Sequence, residues 1–376
     1  MFDRKEPLRV LVVDDTAFYR KIVSEVLSEI PDVEVIGTAN NGKIAMSKIA
    51  SLKPDILTLD IEMPEMNGLD VLSSIRSEGH DVGAIVLSTL THKGGDLTMQ
   101  ALDLGAFDFI TKPETKNIEE SKKQIKNALS SMFKAYSRRQ EIRNILEGRL
   151  SLFKNDKETE AKVPPIGAVR RVSSSVDRRK RTAEIIGIGV STGGPKALSQ
   201  MMPEIPADIN VPILIVQHMP SIFTQSLAKS LDSKCALNVK EAIDGETVQP
   251  NVAFIAPGGK QMKIVAGMDG RERIVRITDD PPENSCKPSV DYLFRSIAQH
   301  YIGRSAGVIM TGMGSDGSEG LSLMKRNGAT IIAQDESTCI VYGMPKKAID
   351  GGLVDIIAPL DQIASEICQL VKGNAC

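Results

Sequence analysis

The chain has 376 residues, a formal net charge of −2 and 41% hydrophobic residues, which suffices for two domains of ordinary size. Five cysteines, an odd number without C-x-x-C spacing, argue against a disulfide framework or a zinc site. No apolar run reaches the roughly 18 residues of a membrane span, and the chain enters a strand-like segment instead of a signal sequence, so we expect a cytoplasmic protein without membrane insertion.

The first 115 residues show a repeated alternation of apolar runs and amphipathic helical stretches. The apolar runs of strand length are Leu8–Val13, Val33–Gly37, Ile56–Leu59, Ala84–Leu87 and Phe107–Ile110. This βα alternation predicts a doubly wound parallel sheet. Ligands of such sheets bind beyond the carboxyl ends of the strands, so the residues that follow each run are the candidates for a site.

Polar residues follow four of these runs. Asp14 and Asp15 follow the first run, Asp60 the third, Ser88 the fourth and Lys112 the fifth. Three converging carboxylates repel one another unless a divalent cation lies among them, and oxygen ligands suit Mg²⁺. The pattern predicts a phosphoryl site in which Asp60 is the nucleophile and Lys112 and Ser88 contact phosphate oxygens. Any one of these aspartates alone could instead be a helix N-cap.

The order of these motifs resembles that of response-regulator receiver domains. The motifs are DD, then D-x-E-M-P-x-M-N-G, then S-T, then K-P. The resemblance implies a flavodoxin-like receiver domain at residues 1–125, phosphorylated by a histidine kinase. The implied residues are Asp60 as phosphoacceptor, Asp14, Asp15, Asp60 and the backbone carbonyl of Glu62 as Mg²⁺ ligands, Ser88 as switch hydroxyl and Lys112 as phosphate partner. Phe109 stands where many receivers have a tyrosine.

A different composition marks residues 126–182. Apolar residues at spacings of three and four predict a helix over Ile118–Leu150. From Lys154 to Arg181 the chain is rich in Ser, Pro and basic residues, which predicts a disordered linker. Since no aromatic residue lies between Phe153 and Phe223 to stack on bases, the basic residues do not indicate a nucleic-acid partner.

A second alternating pattern occupies residues 183–376. Its strand candidates are Ile185–Val190, Ile213–Gln217, Ala253–Ala256, Gly307–Thr311, Thr330–Ala333 and Val354–Ile357. Alternating residues on both sides of a Gly-Met-Asp-Gly turn in Lys263–Thr278 predict a β-hairpin. We therefore expect a second doubly wound parallel sheet with one antiparallel hairpin.

Three polar residues follow strands of this second sheet. Ser191 stands at a strand-to-helix turn in GVSTGGPKAL, and His218 follows the next strand in QHMP. Asp316 lies in a glycine-rich loop after a later strand, in TGMGSDG. This set predicts a Ser/His/Asp hydrolase site. A phosphate-binding loop at Ser191 is the alternative, although the P-loop pattern is absent, and Asp335 and Asp355 are alternative acids.

The motifs S-T-G-G-P, Q-H-M-P and T-G-M-G-x-D-G resemble those of chemotaxis-specific protein-glutamate methylesterases. The resemblance implies Ser191 as nucleophile, His218 as base and Asp316 as orienting acid, with backbone amides near Thr192 and Met313 forming an oxyanion hole. It implies hydrolysis of glutamyl methyl esters on methyl-accepting chemoreceptors, together with glutamine deamidation, and no cofactor for the hydrolase.

The same resemblance implies that phosphorylation at Asp60 activates the hydrolase by relieving occlusion of its cleft. Two other functions fit part of the pattern. One is a phosphorylation-controlled docking module that binds receptors without turnover, which an intact triad argues against. The other is a serine esterase that acts on a small-molecule ester, which the receiver and the three motifs argue against.

Overall fold

The computed structural model describes residues 6–113, 117–153, 169–172 and 182–372. The chain divides into two compact units, Met1–Ser151 and Leu152–Cys376. Within the described ranges, no helix is both long and apolar enough to cross a membrane.

The N-terminal unit is a five-stranded parallel sheet with helices between its strands. Its elements are β1 Leu8–Val13, α1 Ala17–Ser28, β2 Val33–Ala39, α2 Gly42–Leu52, β3 Ile56–Asp60, α3 Gly68–Glu78, β4 Gly83–Ser88, α4 His92–Asp103, β5 Asp108–Thr111 and α5 Ile118–Phe153. The strand order is β2-β1-β3-β4-β5, and every pairing is parallel. This is the predicted flavodoxin-like topology, whose order reverses between β1 and β3.

Local sequence explains how the loops of this sheet are anchored. Asn67 caps α3 through a capping box with Asp70, and Asn41 Oδ1 accepts a hydrogen bond of 2.9 Å from Ile44 N at the start of α2. In the first turns of α5, Ile125 is buried. These contacts fix the ends of the segments that connect the strands at the site.

The C-terminal unit contains a larger sheet and a separate hairpin. Its elements are β6 Arg170–Arg171, β7 Ile185–Val190, α6 Gly194–Met201, a 3₁₀ turn Met202–Glu204, β8 Ile213–Gln217, α7 Ser221–Asp232, β9 Asn238–Glu241, β10 Val252–Ile255, β11 Gln261–Ala266, β12 Arg273–Thr278, α8 Val290–His300, β13 Ser305–Ile309, α9 Ser318–Arg326, β14 Thr330–Gln334, α10 Met344–Asp350, β15 Ile356–Ala358 and α11 Leu360–Lys372. The large sheet has the order β6-β15-β14-β13-β7-β8-β10-β9. It is parallel except for β6, which runs antiparallel to β15.

The predicted hairpin forms from β11 and β12, which pair antiparallel outside the large sheet. Helix α8 packs on it through a buried cluster that includes Ile264, Val275 and Leu293, and Ile264 N donates a hydrogen bond of 3.1 Å to Ser296 Oγ. The hairpin thereby holds α8 with its N-terminus at the carboxyl ends of β7, β8 and β13, where the predicted site lies.

Apart from element bounds that differ by one to three residues from those predicted, three features differ from the sequence-based expectations. Strand β9 was not predicted, because of its four residues only Val239 is fully buried. Asp355, expected inside its strand, precedes β15 and accepts hydrogen bonds from Lys325 Nζ and Ile331 N. Strand β6 lies in the segment for which a disordered linker was predicted, and the rest of Lys154–Arg181 lies outside the described residues, Val169 and Val172 excepted.

Candidate functional sites

The acidic residues of the N-terminal unit meet a lysine at the carboxyl ends of β1, β3 and β5. Lys112 Nζ lies 2.8 Å from Asp14 Oδ2 and 2.8 Å from Asp60 Oδ2. Asp14, Asp60 and Lys112 are buried, whereas Asp15 is exposed. The predicted carboxylates and lysine therefore come together, with one cation among three acids.

Burial and charge shift the pKa values of this cluster. Burial raises the pKa of Asp60 to about 6, and the neighbouring carboxylates of Asp14 and Asp15 add to the effect against the opposing ammonium of Lys112. Burial opposes the charge of Lys112, but Asp60 and Asp14 outweigh it and raise the pKa of that ammonium. The single lysine therefore does not compensate the buried negative charge of Asp60.

The acidic cluster fits a divalent cation. Carboxylate oxygens of Asp14, Asp15 and Asp60 lie within 4.8 Å of one another. Asp14 Oδ2 is buried and, among the described residues, has an ion-pair contact to Lys112 but no hydrogen bond of good geometry. A hard cation with oxygen ligands would satisfy that atom. A cleft of about 700 Å³ opens beside the cluster and is lined by Asp15, Asp60 and Lys112.

Of the two further predicted residues, Glu62 lines this cleft and Ser88 is buried near it. The side chain of Glu62 is paired to Lys93 at 2.7 Å. Ser88 is buried at the end of β4, where its hydroxyl accepts a hydrogen bond of 2.7 Å from Thr98 Oγ1 and donates one of 3.2 Å to Gly94 O. The next residue, Thr89, lines the cleft, as do the hydroxyl residues Thr16, Tyr19 and Thr91.

The predicted triad lies on three neighbouring strands of the large sheet. Ser191 directly follows β7, His218 directly follows β8, and Asp316 lies in the loop after β13. Strand β7 pairs with β8 on one side and with β13 on the other. This is a point where the strand order reverses, the usual place for a site in an open parallel sheet.

Asp316 is held by the N-terminus of α8. His218 Nε2 lies 2.8 Å from Asp316 Oδ2, which also accepts a hydrogen bond of 2.7 Å from Val290 N. Asp316 Oδ1 accepts hydrogen bonds from Ser289 Oγ at 2.9 Å and Asp291 N at 3.1 Å. A helix N-terminus and a carboxylate stabilise each other, so the acid is fixed on both oxygens.

The pKa values of Asp316 and His218 are shifted in opposite directions. Burial alone would raise the pKa of Asp316, but the hydrogen bond from His218 and the amides of Val290 and Asp291 lower it to about 2. Burial likewise opposes a charged imidazole, yet Asp316 and Cys286 raise the pKa of His218 to about 9. Asp316 is therefore ionised at every physiological pH, and the imidazole is a strong base.

Ser191 is positioned by its backbone. Its N–H donates a hydrogen bond of 3.0 Å to Thr311 O, and a side chain at Gly312 would come within 2.7 Å of Ser191 Cβ. Gly193, with a φ of +74°, allows the chain to turn into α6. Within the described residues the hydroxyl of Ser191 makes no hydrogen bond. Nδ1 of His218 instead faces Cys286 Sγ at 3.7 Å.

The two predicted oxyanion positions present unused amides. In the part of the chain that the structure describes, neither Thr192 N nor Met313 N donates a hydrogen bond to a protein group. Thr192 O accepts a hydrogen bond of 2.9 Å from Thr311 Oγ1, which fixes the peptide next to Ser191. Met313 is exposed and follows Gly312, which contacts Ser191.

Sequence reasoning missed several residues that shape the site. Gln217 Nε2 donates hydrogen bonds to Ser191 O at 2.9 Å and His218 O at 3.2 Å, which joins two of the motifs. Asn284 Nδ2 donates to Asp291 Oδ2 at 2.9 Å and Asp316 Oδ1 at 3.3 Å. The Q-H-M-P motif contained a signal for Gln217, whereas nothing in the sequence linked Asn284 to Asp316.

The alternative acids have other partners. Asp335 accepts hydrogen bonds from Thr338 N at 3.0 Å and Ser337 Oγ at 2.6 Å, and so caps a turn. Asp355 pairs with Lys325 at 3.0 Å. Of the three candidate acids, Asp316 is the one that contacts His218.

Comparison with protein families gives two matches. Residues 10–123 match the response regulator receiver domain, and residues 186–367 match the CheB methylesterase family. The matches cover both predicted domains and leave the segment between them outside.

Curated relatives match over nearly the whole chain. A protein-glutamate methylesterase/protein-glutamine glutaminase of Desulfotalea psychrophila is 54% identical, with 97% of this chain and 99% of the relative covered. A protein of the same description from Bacillus subtilis is 41% identical, with 97% and 99% covered. The catalytic domain of Thermotoga maritima CheB methylesterase, a crystal structure, is 40% identical with a TM-score of 0.49, and covers 50% of this chain and 100% of its own.

Proposed function

Since this chain belongs to the protein-glutamate methylesterase/protein-glutamine glutaminase family, we propose that Ser191, His218 and Asp316 carry its hydrolase reaction. The observation that supports this assignment is the 2.8 Å contact between His218 Nε2 and Asp316 Oδ2. These two residues follow β8 and β13, the strands on either side of β7, which Ser191 follows. The enzyme hydrolyses glutamyl methyl esters and deamidates glutamines, and its receiver domain makes this activity subject to phosphorylation.

The proposed reaction uses both nitrogens of the imidazole. Asp316 accepts the Nε2 proton, which leaves Nδ1 as the acceptor. Nδ1 would take the proton of Ser191 Oγ as that oxygen attacks the glutamyl carbonyl, and would return it to the leaving methanol or ammonia. Water then cleaves the acyl-enzyme in the same way. The hydroxyl of Ser191 must approach Nδ1 for this step, a contact that bound substrate would complete.

The unused amides of Thr192 and Met313 support an oxyanion hole. Both belong to segments that are fixed beside Ser191 by hydrogen bonds or close packing. Preorganised donors of this kind stabilise the developing oxyanion without reorganisation, and the loss of one donor typically reduces kcat about 10²- to 10³-fold.

We assign the acidic cluster of the N-terminal unit to phosphorylation. Asp60 would accept the phosphoryl group, and Lys112 would pair with the phosphoryl oxygens. The Ser88 hydroxyl would exchange the hydrogen bond that it donates to Gly94 O for one donated to the phosphate. Asp14, Asp15, Asp60 and the backbone carbonyl of Glu62 would hold Mg²⁺, which when bound neutralises charge on the phosphoryl oxygens.

Partners and domain limits follow from the same assignment. The donor would be a histidine kinase and the substrate a methyl-accepting chemoreceptor, both met in the cytoplasm. The family matches at residues 10–123 and 186–367 support a receiver domain at 1–125 and a catalytic domain at 183–376, joined through residues 126–182. Phosphorylation would then relieve occlusion of the catalytic cleft.

Replacement of the serine tests the hydrolase assignment. Ser191→Ala should reduce methanol release from methylated receptor membranes by at least about 10⁴-fold, because the nucleophile is lost. Ser315→Ala is the matched control, since Ser315 is exposed in the loop that carries Asp316. Turnover by Ser191→Ala close to that of the control would refute the assignment. A wild-type protein that binds these membranes without methanol release would instead support a docking function.

A further inference from the structure

A thiol faces the catalytic imidazole. Cys286 Sγ lies 3.7 Å from His218 Nδ1 and donates a hydrogen bond of 3.4 Å to Asn284 O. Because Asp316 accepts the proton of Nε2, the neutral imidazole has its lone pair on Nδ1, toward the sulfur. A thiol and an imidazole nitrogen that face each other in this way are ligands of borderline and soft metal ions.

A tight turn holds the thiol in place. Cys286 N donates to Glu283 O at 2.7 Å, and Glu283 N donates to Cys286 O at 3.1 Å. The two residues between them, Asn284 and Ser285, have φ values of 51° and 62°, a conformation that non-glycine residues rarely adopt. Neighbours maintain it, since Asn284 is bonded to Asp291 and Glu283 pairs with Arg295 at 2.5 Å. Cys286 is therefore presented to His218 by an anchored turn.

We propose that Cys286 Sγ and His218 Nδ1 bind a thiophilic divalent cation such as Zn²⁺, and that the bound ion inhibits the hydrolase. The inhibitory part rests on the proposed function, in which Nδ1 takes the proton of Ser191. Zn–S bonds of about 2.3 Å and Zn–N bonds of about 2.0 Å across the observed separation correspond to an angle of roughly 115–120°, near the tetrahedral value. The site needs little rearrangement to bind the ion.

Asp316 supports this site from behind the ring. One of its carboxylate oxygens, one ring nitrogen of His218 and Cys286 Sγ lie within 4.8 Å of one another. Its two oxygens are already occupied by donors from α8 and by His218, so it orients the imidazole instead of binding the metal. A carboxylate on the second nitrogen is the usual support of a metal-bound histidine. Water would fill the remaining positions.

The sequence could not show this pair, because its members are 68 residues apart and lie in no motif of closely spaced ligands. Binding replaces the proton of the Cys286 thiol and, where the imidazole is protonated, the proton on His218 Nδ1 as well, so protons are released as Zn²⁺ binds and affinity should rise with pH.

Cobalt provides the direct test, because Co²⁺ bound to a thiolate shows a sulfur-to-metal charge-transfer band. The full-length protein is titrated with Co²⁺ in excess Mg²⁺, which occupies the all-oxygen cluster of the N-terminal unit. We expect the band in the wild type and in Cys235→Ser, and its loss in Cys286→Ser and Cys286→Ala. Cys235 is a suitable control because it is also only partly buried. A wild type without the band, or a band that survives both Cys286 substitutions, would refute the site.

Inhibition is tested separately, by measuring the rate of methanol release with and without Zn²⁺. For each variant, the rate with Zn²⁺ is divided by the rate of the same variant without Zn²⁺. We expect Cys286→Ser to need at least about tenfold more Zn²⁺ for the same fractional inhibition, as the loss of one ligand implies. Equal sensitivity of Cys286→Ser and the wild type would refute inhibition through this site. The cobalt spectrum does not depend on turnover, so failure of the proposed function and failure of the metal site give different results.

Discussion

Both units have a buried aspartate on the carboxyl side of a parallel sheet, Asp60 as the last residue of β3 and Asp316 in the loop after β13, yet the surroundings of the two residues differ. Asp60 has one lysine and two neighbouring carboxylates, and burial raises its pKa to about 6. Asp316 is equally buried, but His218 and the amides at the start of α8 overcome that burial and lower its pKa to about 2. A buried aspartate at the carboxyl side of a parallel sheet thus has too little positive charge around it in one unit and is saturated with hydrogen-bond donors in the other.

The difference shows how a fold separates reactive from supporting acids. An acid whose oxygens are not saturated with donors stays available to a cation or an electrophile, as Asp14 Oδ2 illustrates, whose contact among the described residues is the ion pair with Lys112. An acid whose oxygens are fully occupied, as those of Asp316 are, can only hold and polarise its neighbour. We expect substitutions to act on rate at Asp316 and on stability at Asp60.

The largest effect should follow removal of the charge at Asp316. Asp316→Asn places an amide NH₂ against either the His218 N–H or the amides of α8, so the imidazole loses its orientation and its preferred tautomer. We expect methanol release to fall by about 10³- to 10⁴-fold. Asp335→Asn is the matched control, since Asp335 caps a turn and should change the rate less than about threefold. If Asp335→Asn were inactive while Asp316→Asn kept the wild-type rate, Asp335 would be the acid that orients His218.

The next effect concerns the pH dependence of the hydrolase, whose kcat/KM should rise by about tenfold per pH unit below the pKa of His218. Since the pKa of His218 is about 9, the fraction of neutral imidazole, and with it kcat/KM, should rise through neutral pH and level off near pH 9. Asp316 and Cys286 face this ring, and Asp291 lies behind Asp316. In Asp316→Asn the lower residual activity should level off at a lower pH, since the anion that raises the pKa is gone.

Rates for this comparison are measured with EDTA present, and with Ser191→Ala as background for spontaneous ester hydrolysis at high pH. A wild-type profile that is flat between about pH 6 and 9 would contradict the role of His218 as the base.

A smaller effect, on stability, is expected for Asp60→Asn. A carboxyl whose pKa is raised on folding stabilises the fold below its unfolded pKa, and this contribution is lost as pH rises through the folded value of about 6. The amide does not titrate, so the variant should gain stability over the wild type as pH rises from about 4 to 7. The gain should be on the order of 1–3 kcal/mol, measured without Mg²⁺ by hydrogen exchange of β1 and β3. A gain that is as large at pH 4 as at pH 7 would contradict this.

The smallest effect should come from Mg²⁺, which restores the missing compensation at the acidic cluster. We expect Mg²⁺ to slow hydrogen exchange in β1 and β3 of the wild type. The slowing should correspond to a gain in the free energy of unfolding of up to about 2.7 kcal/mol when the Mg²⁺ concentration is one hundred times its Kd. The effect should decline in Asp60→Asn and persist in Asp103→Asn, whose substituted residue is exposed at the end of α4. Equal protection of the two variants would argue for binding elsewhere.

Much of this architecture was predictable because central parallel strands are continuous apolar runs. Ile185–Val190 and Ile213–Gln217 were predicted with the bounds that the structure shows, and every residue of both is buried. The polar residues that follow them are likewise visible in the sequence, so Ser191 and His218 could be proposed from strand ends alone.

The rest depends on tertiary contacts that have no local pattern. Strand β9 has one fully buried side chain and was missed. The donors to Asp316 at Ser289 and Val290 come from the start of a helix that packs on the hairpin, and no local pattern predicts where that helix lies. Cys286 reaches His218 for the same reason.

Strand β6 has a practical consequence for the exposed border of the large sheet. Arg170 and Arg171 pair with β15, and the Arg171 guanidinium bonds the carboxylate of Glu366 at 2.9 Å. An isolated catalytic fragment that begins before residue 169 keeps this cover. One that begins after Val172 leaves the outer N–H and C=O groups of β15 unpaired, which is a template for association with another chain. A shortened fragment would thus be prone to aggregate although its catalytic residues are complete.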